Sequence, residues 1–190
     1  MKMRLSISRK RPIAGLKSWQ AFNTKMIKRK DKMKDTDEQV KAVWNEGVQL
    51  MAKGYTWAEA ILQVLRKTKS WDATPYQWAT VGFKGAIMSG KTICGVLFGA
   101  TIYLGYLNGI NATAAPGHKD RRRKRAIASV EDLFNGFRKR FGHTDCQTLT
   151  GCDWTRKKDI KRYFNEEVYK DTCFPQLEYV VEKCIVGNSS

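Results

Sequence analysis

Five cysteines, at positions 94, 146, 152, 173 and 184, are the side chains of this chain with the widest chemistry. A thiolate is a nucleophile, a redox centre and a soft ligand for zinc or an iron–sulfur cluster. An odd number of widely separated cysteines does not describe a disulfide framework, since one is always left over. Metal sites of this kind usually need four ligands. Cys146 and Cys152 lie in one predicted loop, where Cys152 could supply a fourth ligand; Cys184 falls on a predicted helix near the C-terminus and reads as a buried small residue. Cys94 is placed best for reactivity: it follows Gly90-Lys91 at a helix start, where the helix dipole, free N–H groups and the Lys91 charge all favour a thiolate.

Gly90, Gly95 and Gly99 surround this thiol. Lacking a Cβ, they suit either the close approach of a cofactor or tight helix packing. The same glycines enter a second pattern, Gly85-Ala-Ile-Met-Ser-Gly90-Lys91-Thr92, which fits the phosphate loop G-x-x-x-x-G-K-T. That loop needs a buried strand before it and a βα sheet around it. Thr80–Lys84 is a poor strand preceded by a helical pattern, so a nucleotide binder is the weakest reading. The acidic residues Asp153, Asp159, Glu166 and Glu167 read as caps and a solvated face.

The elements that must position these residues are helical. Thr36 with Gln39, and Thr56 with Glu59, form capping boxes ahead of apolar stripes, and Gly54 stops the first of the two helices. Thr74-Pro75 starts a short third helix, a Gly-punctuated stretch covers 82–90, and an apolar helix runs from Thr92 to Leu107. Pro116-Gly117 and the Arg run break the chain, and Ser129 opens an amphipathic helix ending at Gly142. A loop, a charged helix over 157–169 and a last helix over 174–184 follow. The aromatic groups Trp71, Tyr76 and Trp78, and Phe134, Phe137 and Phe141, read as core. No run alternates as a strand would. The expected fold is all-α: a compact helical bundle over residues 36–186, with residues 1–35 as a basic arm, extended or weakly helical.

The net charge is +17, from 35 Lys and Arg against 18 Asp and Glu. It is concentrated: residues 1–41 carry +9 and residues 117–140 carry +6. Such runs suit an acidic protein partner or larger complex, gripped through residues 1–35 and 117–126. Nucleic acid is a further candidate, although no zinc-finger or ribonucleoprotein signature accompanies the charge. No long apolar segment and no secretory signal core is visible, which predicts a cytoplasmic protein.

Three stretches in order resemble the C-GCAxxG-C-C family of redox-active proteins. Gly54-Tyr-Thr-Trp57-Ala-Glu-Ala-Ile-Leu62 looks like its opening G-Y-N-C-A-E-A-V-L. Gly90-Lys-Thr-Ile-Cys94-Gly95, with Gly99 one turn on, looks like its central Cys-Gly motif, here with Val96 in place of Ala. Phe141-Gly142, Cys146, Leu149, Gly151 and Asp153 look like the segment around its third cysteine, and Cys173 sits where the fourth is expected. The resemblance covers about residues 40–185 and places Trp57 where the family's first cysteine stands. It implies redox chemistry or electron transfer at Cys94, Cys146 and Cys173, with an iron–sulfur cluster as the suggested cofactor and a homodimer as one arrangement. Covalent c-type haem is excluded by the absence of C-x-x-C-H, since the histidines are His118 and His143. With a ligand position lost to Trp57, a non-catalytic accessory subunit on the same scaffold is the alternative reading.

Overall fold

The computed structural model describes residues 16–72, 74–109 and 118–186, with side chains for 34–72, 76–109 and 121–186. Among the described residues the chain is helical throughout: α1 (Leu16–Ala52), α2 (Trp57–Lys67), α3 (Thr74–Met88), α4 (Gly95–Gly109), α5 (His118–Phe141), α6 (Cys146–Thr150), α7 (Lys157–Asn165), α8 (Val168–Asp171) and α9 (Cys173–Val186). Pairing of strand type is limited, among the same residues, to one isolated antiparallel bridge, Ile93 with Asp145. The all-α expectation holds. The chain divides into two units, 1–37 and 38–190. The described part of the first is helix, where an extended or weakly helical arm was expected; residues 1–15 lie outside the described residues. Lys, Arg, Met and Gln are good helix formers, and 16–35 holds neither Gly nor Pro, so the Thr36 capping signature is simply passed through.

In the second unit α2 is the central helix. Thr56 caps it with a complete capping box: its hydroxyl accepts from Glu59 N, and the Glu59 carboxylate accepts from Thr56 N at 2.8 Å. Ala60, Ile61, Leu62 and Leu65 are wholly buried there. Helix α4 lies tightest against α2, with α5 and α9 completing the core. Gly99 sets that approach, because a Cβ there would stand 2.5 Å from Ala58 O and closer still to the Ile61 side chain.

Three boundaries differ from the sequence pattern. Helix α3 runs through Gly82 and Gly85 to Met88, longer than the short helix expected. Helix α4 starts at Gly95, so Cys94 precedes its first residue instead of lying inside it. Helix α5 starts at His118, which places Arg121–Arg125 on a helix and not in a break; Ser129 bonds back to Arg125 O at 2.8 Å instead of capping. Residues 110–117, including Pro116-Gly117, lie outside the described residues. Gly142, at φ +84°, ends α5 as expected. Trp71 and Phe137 are core, while Trp78 is 72% exposed.

Candidate functional site

The Ile93–Asp145 bridge joins two segments far apart in sequence, and it carries a cysteine on each. Cys94 N donates to Thr144 O at 2.7 Å, and Cys146 N donates to Thr92 O at 2.9 Å. In an antiparallel bridge of this pattern both cysteines leave on the same face, opposite Ile93 and Asp145. Asp145 also caps α6, accepting from Thr148 N at 2.8 Å, and draws Lys91 to 3.7 Å. A third cysteine, Cys173, opens α9.

Cys94, Cys146 and Cys173 line one cavity of about 160 Å3, and Trp57 lines it with them. Cys152 is wholly buried in a small cluster with Cys173 and Tyr163, against which Trp57, Trp154 and Tyr169 pack. Cys184 is buried in the large core, away from this cavity. None of the five cysteines is in a disulfide.

Each thiol at the site has its own partner. Cys94 Sγ donates to Gln176 Oε1 at 3.4 Å. Cys146 Sγ accepts from Trp154 Nε1 at 3.3 Å, and Cys152 Sγ accepts from the Arg162 guanidinium at 3.3 Å. Cys173 Sγ meets Tyr163 OH at 3.2 Å, and that hydroxyl accepts from Trp57 Nε1 at 2.8 Å. An indole N–H can only donate, so the Tyr163 oxygen receives it, while between Tyr163 and Cys173 either the O–H or the S–H can be the donor. Trp57 thus orients the hydroxyl that addresses a neighbouring thiol.

Burial dominates the electrostatics. It pushes the Cys94 thiol up to about 12, with Cys146 adding to the rise and the N–H groups of Val96 and Leu97 opposing it. The activation expected from the helix start is present and outweighed, and Lys91 is engaged with Asp145. Burial also raises Cys173 well above its ordinary value; Cys94, Cys146 and Cys152 add to this, while the Tyr163 hydroxyl opposes it. Cys146 and Cys152 are raised by burial too, the latter opposed by Arg162. Cys173 therefore feels all three other thiols of the site.

Shared space is not a ligand set. Among the described residues no three His, Cys, Asp or Glu side chains are placed to hold one metal ion. The sulfurs face separate hydrogen-bond partners, and Trp57 has no donor atom for a metal. The set Cys94, Cys146, Cys152 and Cys173 does not fit a metal centre as it stands. Among the proposed cofactor glycines, Gly95 lines the cavity, but its missing Cβ is matched by Ala58 N at 3.2 Å. Gly99 is filled by α2, and Gly90, at φ +141°, turns the chain between α3 and the bridge. The phosphate-loop pattern spans the end of α3 and that turn, with no strand before it among the described residues.

Sequence reasoning missed Tyr163, Trp154, Gln176 and Arg162. Only Gln176 had a signal, as a polar residue within the apolar run 174–181; it is 2% exposed. Among the described residues no helix is long and apolar enough to cross a membrane.

Comparison with known proteins identifies the family. The family described as "Putative redox-active protein (C_GCAxxG_C_C)" matches residues 55–185. No curated protein and no solved structure matches. The matched span holds the bridge, every cysteine and the cavity lining except Met51 and Gly54, and the chain belongs to the C_GCAxxG_C_C redox-active family.

Proposed function

We propose that this protein is a thiol redox carrier in which Cys94 and Cys173 interconvert between dithiol and disulfide, with Cys146 as the neighbouring exchange thiol. The supporting observation is that three cysteines from separate segments line one cavity. Cys94 is also foremost among the thiols that raise Cys173. Closing the pair breaks two S–H bonds, forms one S–S bond and releases two electrons and two protons to an acceptor. Burial keeps both thiols protonated at neutral pH, so exchange requires a base or an opening motion to expose the thiolate. Tyr163 supplies a hydrogen bond to the Cys173 thiolate once it forms.

Thiol counting and peptide mapping of anaerobically reduced protein test this reading. Mild oxidation is expected to remove two thiols reversibly and to link Cys94 with Cys173. Five thiols surviving oxidation, or a bridge confined to Cys184, overturns it.

An iron–sulfur electron carrier on a rearranged set of the same cysteines is the second reading, favoured by Cys94, Cys146 and Cys152 all acting on Cys173. It requires these sulfurs to leave Gln176, Trp154, Arg162 and Tyr163. Iron and acid-labile sulfide analysis of protein purified without oxygen decides it. In either case the exposed Arg121, Arg123, Lys124 and Arg125 of α5 offer a docking face for an acidic partner.

A further inference from the structure

The cavity above the thiols has a size and a rim that select what enters. Its volume is about 160 Å3. An apolar cavity of about 150 Å3 takes up one benzene ring. A flavin, a nicotinamide dinucleotide or a folded peptide loop is therefore too large, and a single six-membered ring fits.

The walls and mouth favour an uncharged ring. Trp57, Trp154 and Tyr163 present aromatic faces. At the mouth stand Tyr55, Met88 and Phe164, which are 37, 45 and 56% exposed. These three come from the turn before α2, from α3 and from α7, so separate parts of the chain bring exposed apolar side chains to one opening. Among the described residues Lys84 is the one charged side chain in the lining, and it is exposed. A charged ligand would lose its hydration here with little in return. Beneath the opening are the Cys94 and Cys173 thiols.

We infer that the cavity admits a small, uncharged, one-ring quinone, which accepts the two electrons of the thiol pair. The inference rests on the thiol redox reading above. The step balances: the two S–H bonds break, the S–S bond forms, and the quinone takes two electrons and two protons to become a hydroquinone. Aromatic walls suit the flat ring of both forms.

The test uses tetramethyl-1,4-benzoquinone, whose substituted ring carbons resist thiol addition, with diamide as an oxidant that needs no binding site. Reduced full-length protein is titrated without oxygen, following tryptophan fluorescence, quinone absorbance and remaining thiols. Saturable one-to-one binding is expected, with two thiols lost per quinone reduced and a Cys94–Cys173 bridge on mapping. M88K and F164S, both at the exposed mouth, are expected to weaken quinone binding at least about tenfold. A sulfonated benzoquinone is expected not to saturate. If diamide closes the bridge while the quinone neither saturates nor consumes thiols, the inference falls and the thiol reading stands. If neither oxidant closes it, both fall.

Discussion

The second unit of the chain contains two apolar clusters assembled on different terms. The larger joins Ile61, Leu62 and Leu65 of α2 to Leu97 of α4, Phe137 of α5 and Leu177 of α9. Its side chains ask mainly for volume and exclusion of water. The smaller holds Cys152, Tyr163 and Cys173, with Trp57 and Trp154 against it. There almost every side chain brings an N–H, O–H or S–H that must meet a partner when buried. The first cluster makes the scaffold stable; the second converts that rigidity into orientation, holding N–H and O–H groups against the sulfurs.

The largest effect belongs to the volume-governed cluster. Phe137 is wholly buried between α4, α5 and α9, and F137A is expected to cost about 3–5 kcal/mol in chemical denaturation. Alkylation of Cys173 in the still-folded variant should keep its wild-type pH profile. A changed profile would mean the two clusters are one cooperative unit, and the comparison fails.

A pH ramp sharpens the contrast through Cys184, which burial in the larger cluster pushes from an ordinary 9.0 up to about 12. Below the lower value the thiol is neutral in both folded and unfolded chains and stability does not respond to it. As pH rises through this window the unfolded thiol ionises while the folded one resists, so stability falls, by up to about 4 kcal/mol for one such group. Cys94 adds a loss of the same sign. Urea denaturation at successive pH values should show C184A less stable at neutral pH but with a shallower alkaline decline. An unchanged slope would assign the decline to the cavity thiols alone.

Smaller again is Y163F, which deletes the hydroxyl between Trp57 and Cys173. Leaving a part-buried indole N–H without its acceptor costs about 1 kcal/mol. The hydroxyl holds Cys173 below where burial would put it, so its loss should raise that thiol further and slow alkylation at fixed pH. In W57F the hydroxyl has lost its fixed donor and is held less firmly against Cys173, so alkylation should slow there too. Equal rates in both variants and the parent would remove Trp57 and Tyr163 as positioning residues.

The two clusters also differ in how far the sequence discloses them. Thr56 and Glu59 announce α2 because a capping box is local chemistry, complete within four residues. Gly142 likewise announces the end of α5. The start of α5 is hidden, because a run of Arg and Lys has good helix propensity yet no apolar period to mark it. The length of helix α3 is hidden for the opposite reason: Phe83, stacked on Phe98, helps carry it through Gly82 and Gly85, whose intrinsic cost argues for a break. At the site, the order of Gly54, Cys94, Cys146 and Cys173 identified the family. Nothing in that order could show that Trp57 reaches Tyr163, because the contact spans more than a hundred residues and depends on how α7 returns to α2.

The smallest expected effect tests a region outside both clusters. Arg121 and Arg125 are one helical turn apart on α5, and both are exposed. Arg122 is unsuitable for the same test, since its Nη1 is buried without a hydrogen-bond partner among the described residues and its loss would mix packing with charge. The double substitution R121Q/R125Q keeps helix-forming side chains, so stability should move by no more than about 0.5 kcal/mol. The salt needed to elute the protein from a heparin column should fall, because counterion release scales with the charges that meet the polyanion. A large loss of stability with unchanged elution would make the run a structural brace. The expected pair of results would instead show that this face contributes to binding and neither cluster depends on it.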